Sequence, residues 1–208
     1  MINFERKIYY CHINKCGGTS LISQVSDLFP TMESQEAGLR DHSSVAEIKG
    51  YLGEDFEEYN GLSIVRNPYH RCLSYYNHIK RSNSWLYQEF SKFGDISSVS
   101  KFVALLPEII IDFENNKWGD KSIWPQTKWL EIDGSVVTKT IIKLEEYDES
   151  VNTLSEFFGR EISTAVVKNA RPKIHNLLSP YEKQLGVEER SAIFDIYKSD
   201  FETFGYSK

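Results

Sequence analysis

One stretch near the amino end constrains this chain more than any other. Ile8-Tyr9-Tyr10-Cys11-His12-Ile13 is an unbroken run of β-branched, aromatic and apolar residues, the pattern of a buried strand. Asn14-Lys15-Cys16-Gly17-Gly18-Thr19-Ser20 follows, a turn carrying one lysine and two hydroxyls around its glycines. Leu21, Ile22, Val25, Leu28 and Phe29 then recur at helical spacing, and Pro30 stops the helix. A strand that passes through glycines into a helix leaves backbone N–H groups converging at the positive end of the helix dipole, where an anion can approach closely. The stretch predicts a phosphate-binding turn.

The residue order inside that turn excludes the Walker A loop. A Walker A loop needs Gly-x-x-x-x-Gly-Lys-Ser/Thr, with lysine after the glycines and a hydroxyl for magnesium. Here Lys15 precedes Gly17-Gly18, and Thr19-Ser20 follow them. Any anion site has to be local, because the net charge of -6 gives no general basic field and argues against nucleic acid as a partner. With 208 residues, 40% of them apolar, the chain can bury a sizeable core as a single domain over 1–208. No run of about 18 apolar residues marks a transmembrane segment, and Met1 to Lys7 lack the apolar centre of a signal peptide. Cys11, Cys16 and Cys72 show no Cys-x-x-Cys pattern and fit a reducing compartment, so the expected location is cytoplasmic.

Further along, Val45, Ile48, Tyr51 and Leu52 form an amphipathic helix with Ser43 or Ser44 as N-cap and Gly53 past its end. Leu62 to Arg66 reads as a second buried strand, and Pro68 opens a helix whose buried face is Tyr69, Cys72, Leu73, Tyr76 and Ile79. Strand–helix–strand–helix alternation implies a parallel sheet with ligands at the carboxyl ends of its strands. Trp85, Tyr87, Phe90 and Phe93 fill a core or line a pocket. Val99 to Leu106 reads as a helix ended by Pro107. Asp133-Gly134 reads as a turn, Val136 to Leu144 as a strand, Ser150 to Phe158 as a helix stopped by Gly159, and Val187 to Phe204 as one last helix.

The second motif is Ile64-Val65-Arg66-Asn67-Pro68-Tyr69-His70-Arg71-Cys72-Leu73-Ser74-Tyr75-Tyr76. It puts Arg66 at a strand's carboxyl end and Ser74 two turns into the following helix. A guanidinium fork there can pair with phosphate oxygens, and a hydroxyl supplies a further donor. Together, the two motifs resemble those of sulfotransferases that use 3′-phosphoadenosine 5′-phosphosulfate (PAPS). The first is similar to the His-Ile-Pro-Lys-x-Gly-Gly-Thr-Ser loop of carbohydrate O-sulfotransferases of the heparan sulfate 2-O and 6-O type, with Asn14 where many members have Pro. His42-Ser43-Ser44, Gln126-Thr127-x-x-Leu130, Asp133-Gly134, Lys143-Leu144-Glu145 and the stretch from Tyr197 to Tyr206 continue the resemblance over nearly the whole chain. Without the membrane anchor of the Golgi members, the chain looks like a soluble relative of bacterial type.

The resemblance implies a fold, a donor and a set of roles. The fold is α/β, a P-loop-like three-layer sandwich with a central parallel sheet flanked by helices. The donor is PAPS, its product PAP, and no metal is required; His12, His42, His70, His78 and His175 show no metal-ligand spacing. Lys15 and the turn Cys16, Gly17, Gly18, Thr19 and Ser20 would hold the 5′-phosphosulfate, with Lys15 also neutralising the leaving oxygen. Arg66 and Ser74 would clamp the 3′-phosphate, and Arg171 and Lys173, in a late basic loop, would contact that phosphate or the adenine. Arg71 would reach the 3′-phosphate or brace the strand ends.

For the proton of the acceptor hydroxyl the chain offers His42, which has the right chemistry near neutral pH and the position of the catalytic histidine in uronyl O-sulfotransferases. Glu36 or Asp41 could serve instead. The expected acceptor is a hydroxyl on a saccharide, a small molecule or a glycolipid, and the acidic balance disfavours a long polyanion. A P-loop nucleoside-phosphate kinase, which would need ATP and magnesium, and a PAP-binding protein without turnover are the two rival readings.

Overall fold

A computed structural model of the chain describes residues 1–29, 42–82, 85–116, 121–164 and 183–208. The chain divides into two compact units, Met1–Arg66 with Gln126–Arg171 and Asn67–Pro125 with Pro172–Lys208.

The first unit holds a mixed α/β sheet. Strands β1 (Ile2–Asn3), β2 (Ile8–Cys11) and β3 (Asn60–Val65) precede a two-stranded hairpin, β4 (Glu131–Ile132) and β5 (Ser135–Val136), and then β6 (Thr140–Lys143). The main sheet runs β1-β2-β3-β6. β2 pairs parallel with β3 in the register Cys11↔Ser63, β3 pairs parallel with β6 in the register Val65↔Lys143, and β1 adds an antiparallel edge. Every residue of β2, and all of β3 after Asn60, is buried, as expected for parallel strands covered on both faces. Helices Gly18–Val25, Val45–Leu52, Gln126–Leu130 and Val151–Phe158 belong to this unit. Ser44 rather than Ser43 caps the second of these, in a full capping box with Glu47.

The expected strand from Val136 to Leu144 is two separate strands. Asp133 (φ 51°) and Gly134 (φ 76°) make a tight left-handed turn, so Ser135 and Val136 fold back on Glu131 and Ile132. Only at Thr140 does the chain join the main sheet. Ser150 stands where the sequence places an N-cap, but its hydroxyl donates to the Glu146 carbonyl at 2.7 Å and does not cap the helix.

The second unit is helical: Pro68–Ser82, Trp85–Ser91, Val99–Asn116, Val187–Ile196 and Lys198–Phe204. Its core gathers Tyr69, Tyr75, Phe90, Phe102, Phe113 and Ile193, among others, while Trp85 is 57% exposed. Pro107 does not end its helix, which continues to Asn116. Phe102, Val103, Leu106, Ile109 and Phe113 keep one buried face across the proline, so packing overrides a local cost of about 3 kcal/mol. The segment from Glu108 to Asp112 is therefore helical. The last helix, expected to be continuous, is interrupted at Tyr197 (φ -108°, ψ 26°), whose buried hydroxyl donates to the Ile123 carbonyl at 2.9 Å. Among the described residues no helix is long and apolar enough to cross a membrane.

Pro107 is exposed, so its removal disturbs no core contact. Pro107→Ala should restore the missing backbone hydrogen bond and raise stability by about 1–3 kcal/mol, measured from the denaturant midpoint at unchanged m-value.

Candidate active site

The parallel pairing of β2 with β3 sends two loops off the same end of neighbouring strands. After β2 come His12 and Ile13, then a turn in which Lys15 (φ 68°) and Gly17 (φ 79°) occupy the left-handed region. A lysine in that region is strained by local sterics, and such strain concentrates at functional turns. Gly17 is the N-cap of helix Gly18–Val25 and contributes no side-chain hydrogen bond, and the first turn of the helix carries no acidic residue. Gly18 has a different reason to be glycine. A β-carbon there would overlap the His12 ring and lie 2.7 Å from the Tyr10 hydroxyl, so the helix can start this close to the strand only without a side chain.

Arg66 follows the last residue of β3. Its guanidinium donates to the Lys15 carbonyl at 3.2 Å, which ties the second motif to the first. Its backbone is held by Gln126, the first residue of helix Gln126–Leu130. The Arg66 N–H donates to Gln126 Oε1 at 2.8 Å, and Gln126 Nε2 donates to the Arg66 carbonyl at 2.8 Å. The amide thus substitutes for a strand partner where the ladder has stopped. The same Oε1 accepts from the Cys16 thiol at 3.1 Å, so one fully buried side chain joins the glycine turn to the arginine.

His42 is half-buried just before helix Val45–Leu52, and its Nδ1 lies 2.9 Å from the His12 carbonyl. The two imidazoles pack with centroids 4.4 Å apart. Burial, with a smaller contribution from the charge of His42, pushes His12 down to about 3, so this ring is neutral at ordinary pH. Next to β6, Leu144 packs over Gly17.

Lys15, the turn Cys16 to Ser20, Arg66 and His42 are therefore brought together in the first unit. Ser74 is half-buried on helix Pro68–Ser82 of the second unit. Arg171 and Lys173 lie outside the described residues, as do Glu36 and Asp41. The stretch before the late loop is pinned to the turn's own helix, where the Gln24 amide pairs with both backbone groups of Ser163, at 2.8 and 3.1 Å. Arg71 is buried and donates to the carbonyls of Ser122 (2.6 Å) and Trp124 (2.8 Å), a bracing role within the second unit. Burial raises the Cys72 thiol to about 12. Gln126 is the residue that motif reading undervalued. Its sequence signal is its place in the Gln126-Thr127-x-x-Leu130 pattern after Pro125, which gives no hint that its amide holds the Arg66 backbone.

The donor set at these strand ends, a lysine, an arginine and an uncapped helix N-terminus, suits a phosphorylated anion. Comparison with known families agrees. The sequence profile of the Sulfotransferase family matches residues 1–207, and the chain belongs to that family. It is accordingly a transferase that moves a sulfuryl group to a hydroxyl-bearing acceptor, and the carbohydrate O-sulfotransferase type fits within the family. No curated protein and no solved structure matches the chain significantly.

Two outcomes follow from this geometry. Gln126→Ala strands both backbone groups of Arg66 and should cost about 2–5 kcal/mol of stability, readable as a lower denaturant midpoint. His12 binds a proton in the unfolded chain below its ordinary value of 6.5 but in the folded chain only near 3. Between those values the unfolded state takes up more protons, so stability falls with falling pH, by at most about 1.4 kcal/mol per pH unit. A His12→Phe variant should lack that share of the acid loss when the two midpoints are compared from pH 7 to pH 4.

Proposed function

We propose that the protein transfers the sulfuryl group of PAPS to a hydroxyl of a neutral saccharide, a small metabolite or a glycolipid. The observation that carries this reading is the pairing of the Lys15 turn with Arg66 through the Lys15 carbonyl and Gln126. That arrangement offers two separate cationic groups to one ligand, as a nucleotide phosphorylated at both 5′ and 3′ positions requires. The fold proposed around it is a single P-loop-like domain of three layers, and the absence of any Cys-x-x-Cys pair favours a cytoplasmic setting.

In this reading the N–H groups of Gly17 to Ser20 hold the 5′-phosphate, the Thr19 and Ser20 hydroxyls add donors, and Lys15 neutralises the oxygen that leaves with it. Arg66 takes the 3′-phosphate, and Ser74 keeps the role the resemblance gives it, a second donor to that group. Arg171 and Lys173 are proposed for the same phosphate or the adenine. PAPS supplies an activated sulfuryl group, so the chain's work is positioning and charge stabilisation, much as in phosphoryl transfer. His42 accepts the acceptor's hydroxyl proton. No step calls on a metal.

Calorimetry with PAP in a chelator-containing buffer tests the reading. PAP should bind without magnesium, and Lys15→Ala and Arg66→Ala should each weaken it by about tenfold or more. His42→Ala should bind PAP as the wild type does while kcat falls by about a hundredfold to ten-thousandfold. Magnesium-dependent binding of ATP in preference to PAP would instead identify a kinase. Normal turnover in His42→Ala would remove His42 from the role of base.

A further inference from the structure

We infer that His12 is a positioning residue for His42, holding it by carbonyl and ring as the tautomer with its proton on Nδ1 and a bare Nε2. The inference rests on the assignment of His42 as base and specifies which of its atoms receives the proton.

A backbone carbonyl can only accept a hydrogen bond. The 2.9 Å contact between His42 Nδ1 and the His12 oxygen therefore places a proton on Nδ1. In the neutral imidazole the lone pair then sits on Nε2, the atom on the far side of the ring, which is the form a general base needs. The same logic governs histidines that bind metals, where a hydrogen bond to one ring nitrogen fixes the chemistry of the other.

The ring of His12 supplies the second constraint. It lies between Tyr10, stacked at 5.7 Å and 17°, and His42 at 4.4 Å and 40°. Its Cδ2 and Nε2 edge faces Gly18, which leaves no room for a methyl group. Its own Nδ1 is buried and finds no hydrogen-bond partner among the described residues, so packing alone fixes the ring. Gly18 is the first residue of the helix whose N-terminus forms the donor turn. His12 is thus a rigid spacer that registers His42 against that turn. Being neutral, it neither repels a proton arriving on His42 nor competes for it. Two adjacent imidazoles are differentiated by environment, one buried and mute, the other half-exposed and active.

The tautomer is read directly by long-range ¹H–¹⁵N correlation spectra of the labelled full-length protein. His42 should show a pyrrole-type Nδ1 and a pyridine-type Nε2, and the reverse pattern or an averaged one overturns the inference. His12→Ala should lower kcat by about a hundredfold while leaving PAP affinity unchanged. His12→Phe, which restores a ring that cannot titrate, should recover most of the loss. A His12→Ala variant with wild-type kcat, or no recovery in His12→Phe, overturns the positioning role. His42→Ala separates the two readings: full turnover there overturns the base assignment itself, whereas lost turnover there with an unaffected His12→Ala overturns positioning alone. Should a His12 variant fail to fold, the spectrum of the wild type still decides.

Discussion

The parallel pairing of β2 with β3 is the constraint from which the site follows. Parallel neighbours point their carboxyl ends the same way, so whatever follows Cys11 and whatever follows Val65 must emerge side by side. The sequence separates Lys15 from Arg66 by half a hundred positions, yet two strands of four and six residues make them neighbours. The pairing is itself secured by burial. Both strands are buried along almost their whole length, and Ser63 satisfies its hydroxyl by donating to the Cys11 carbonyl at 2.8 Å. A shift of register by one residue would move every side chain to the opposite face and bring Ser63 against apolar neighbours.

Beyond the last ladder hydrogen bond, side chains take over the work of a strand. Gln126 pairs with both backbone groups of Arg66, and Gln24 does the same for Ser163. Each amide presents one donor and one acceptor at the spacing of a peptide group. It can therefore fix an irregular segment that no neighbouring strand reaches. The consequence is a site built largely from loops yet anchored to rigid elements on both sides. Positioning of that kind counts in a reaction whose barrier is lowered mainly by geometry and charge.

Much of this was legible in the sequence, for identifiable reasons. The glycine turn, the two strands and the helix opened by Pro68 are local features: apolar runs, glycines and a proline whose meaning barely depends on distant residues. The misread elements were those decided by tertiary packing. Pro107 reads as a stop, but the buried face from Phe102 to Phe113 carries the helix through it. Val136 to Leu144 reads as one strand, because nothing local reveals that Val136 ends a hairpin strand while Thr140 to Lys143 belong to the main sheet. At the site, Lys15, Arg66 and His42 were visible as motif residues. The contacts of Gln126 with the Arg66 backbone and of His12 with His42 were not, since a glutamine beside a proline and a histidine at a strand end acquire meaning only from what they touch.

The sheet's short edges carry one further implication. Among the described residues the edges are β1, with only Ile2 and Asn3, and β6 on the opposite side, with only Thr140 to Lys143. Open strand margins are templates on which other chains can add, and their risk grows with length and flatness. Here β2 and β3 are enclosed, and the flanking strands have two and four residues, with lysines 139 and 143 bordering the second. Intermolecular strand addition would gain few hydrogen bonds and would bring cations together. The arrangement that sets the Lys15 turn beside Arg66 thus also leaves, among the described residues, little open margin on which another chain could add a strand.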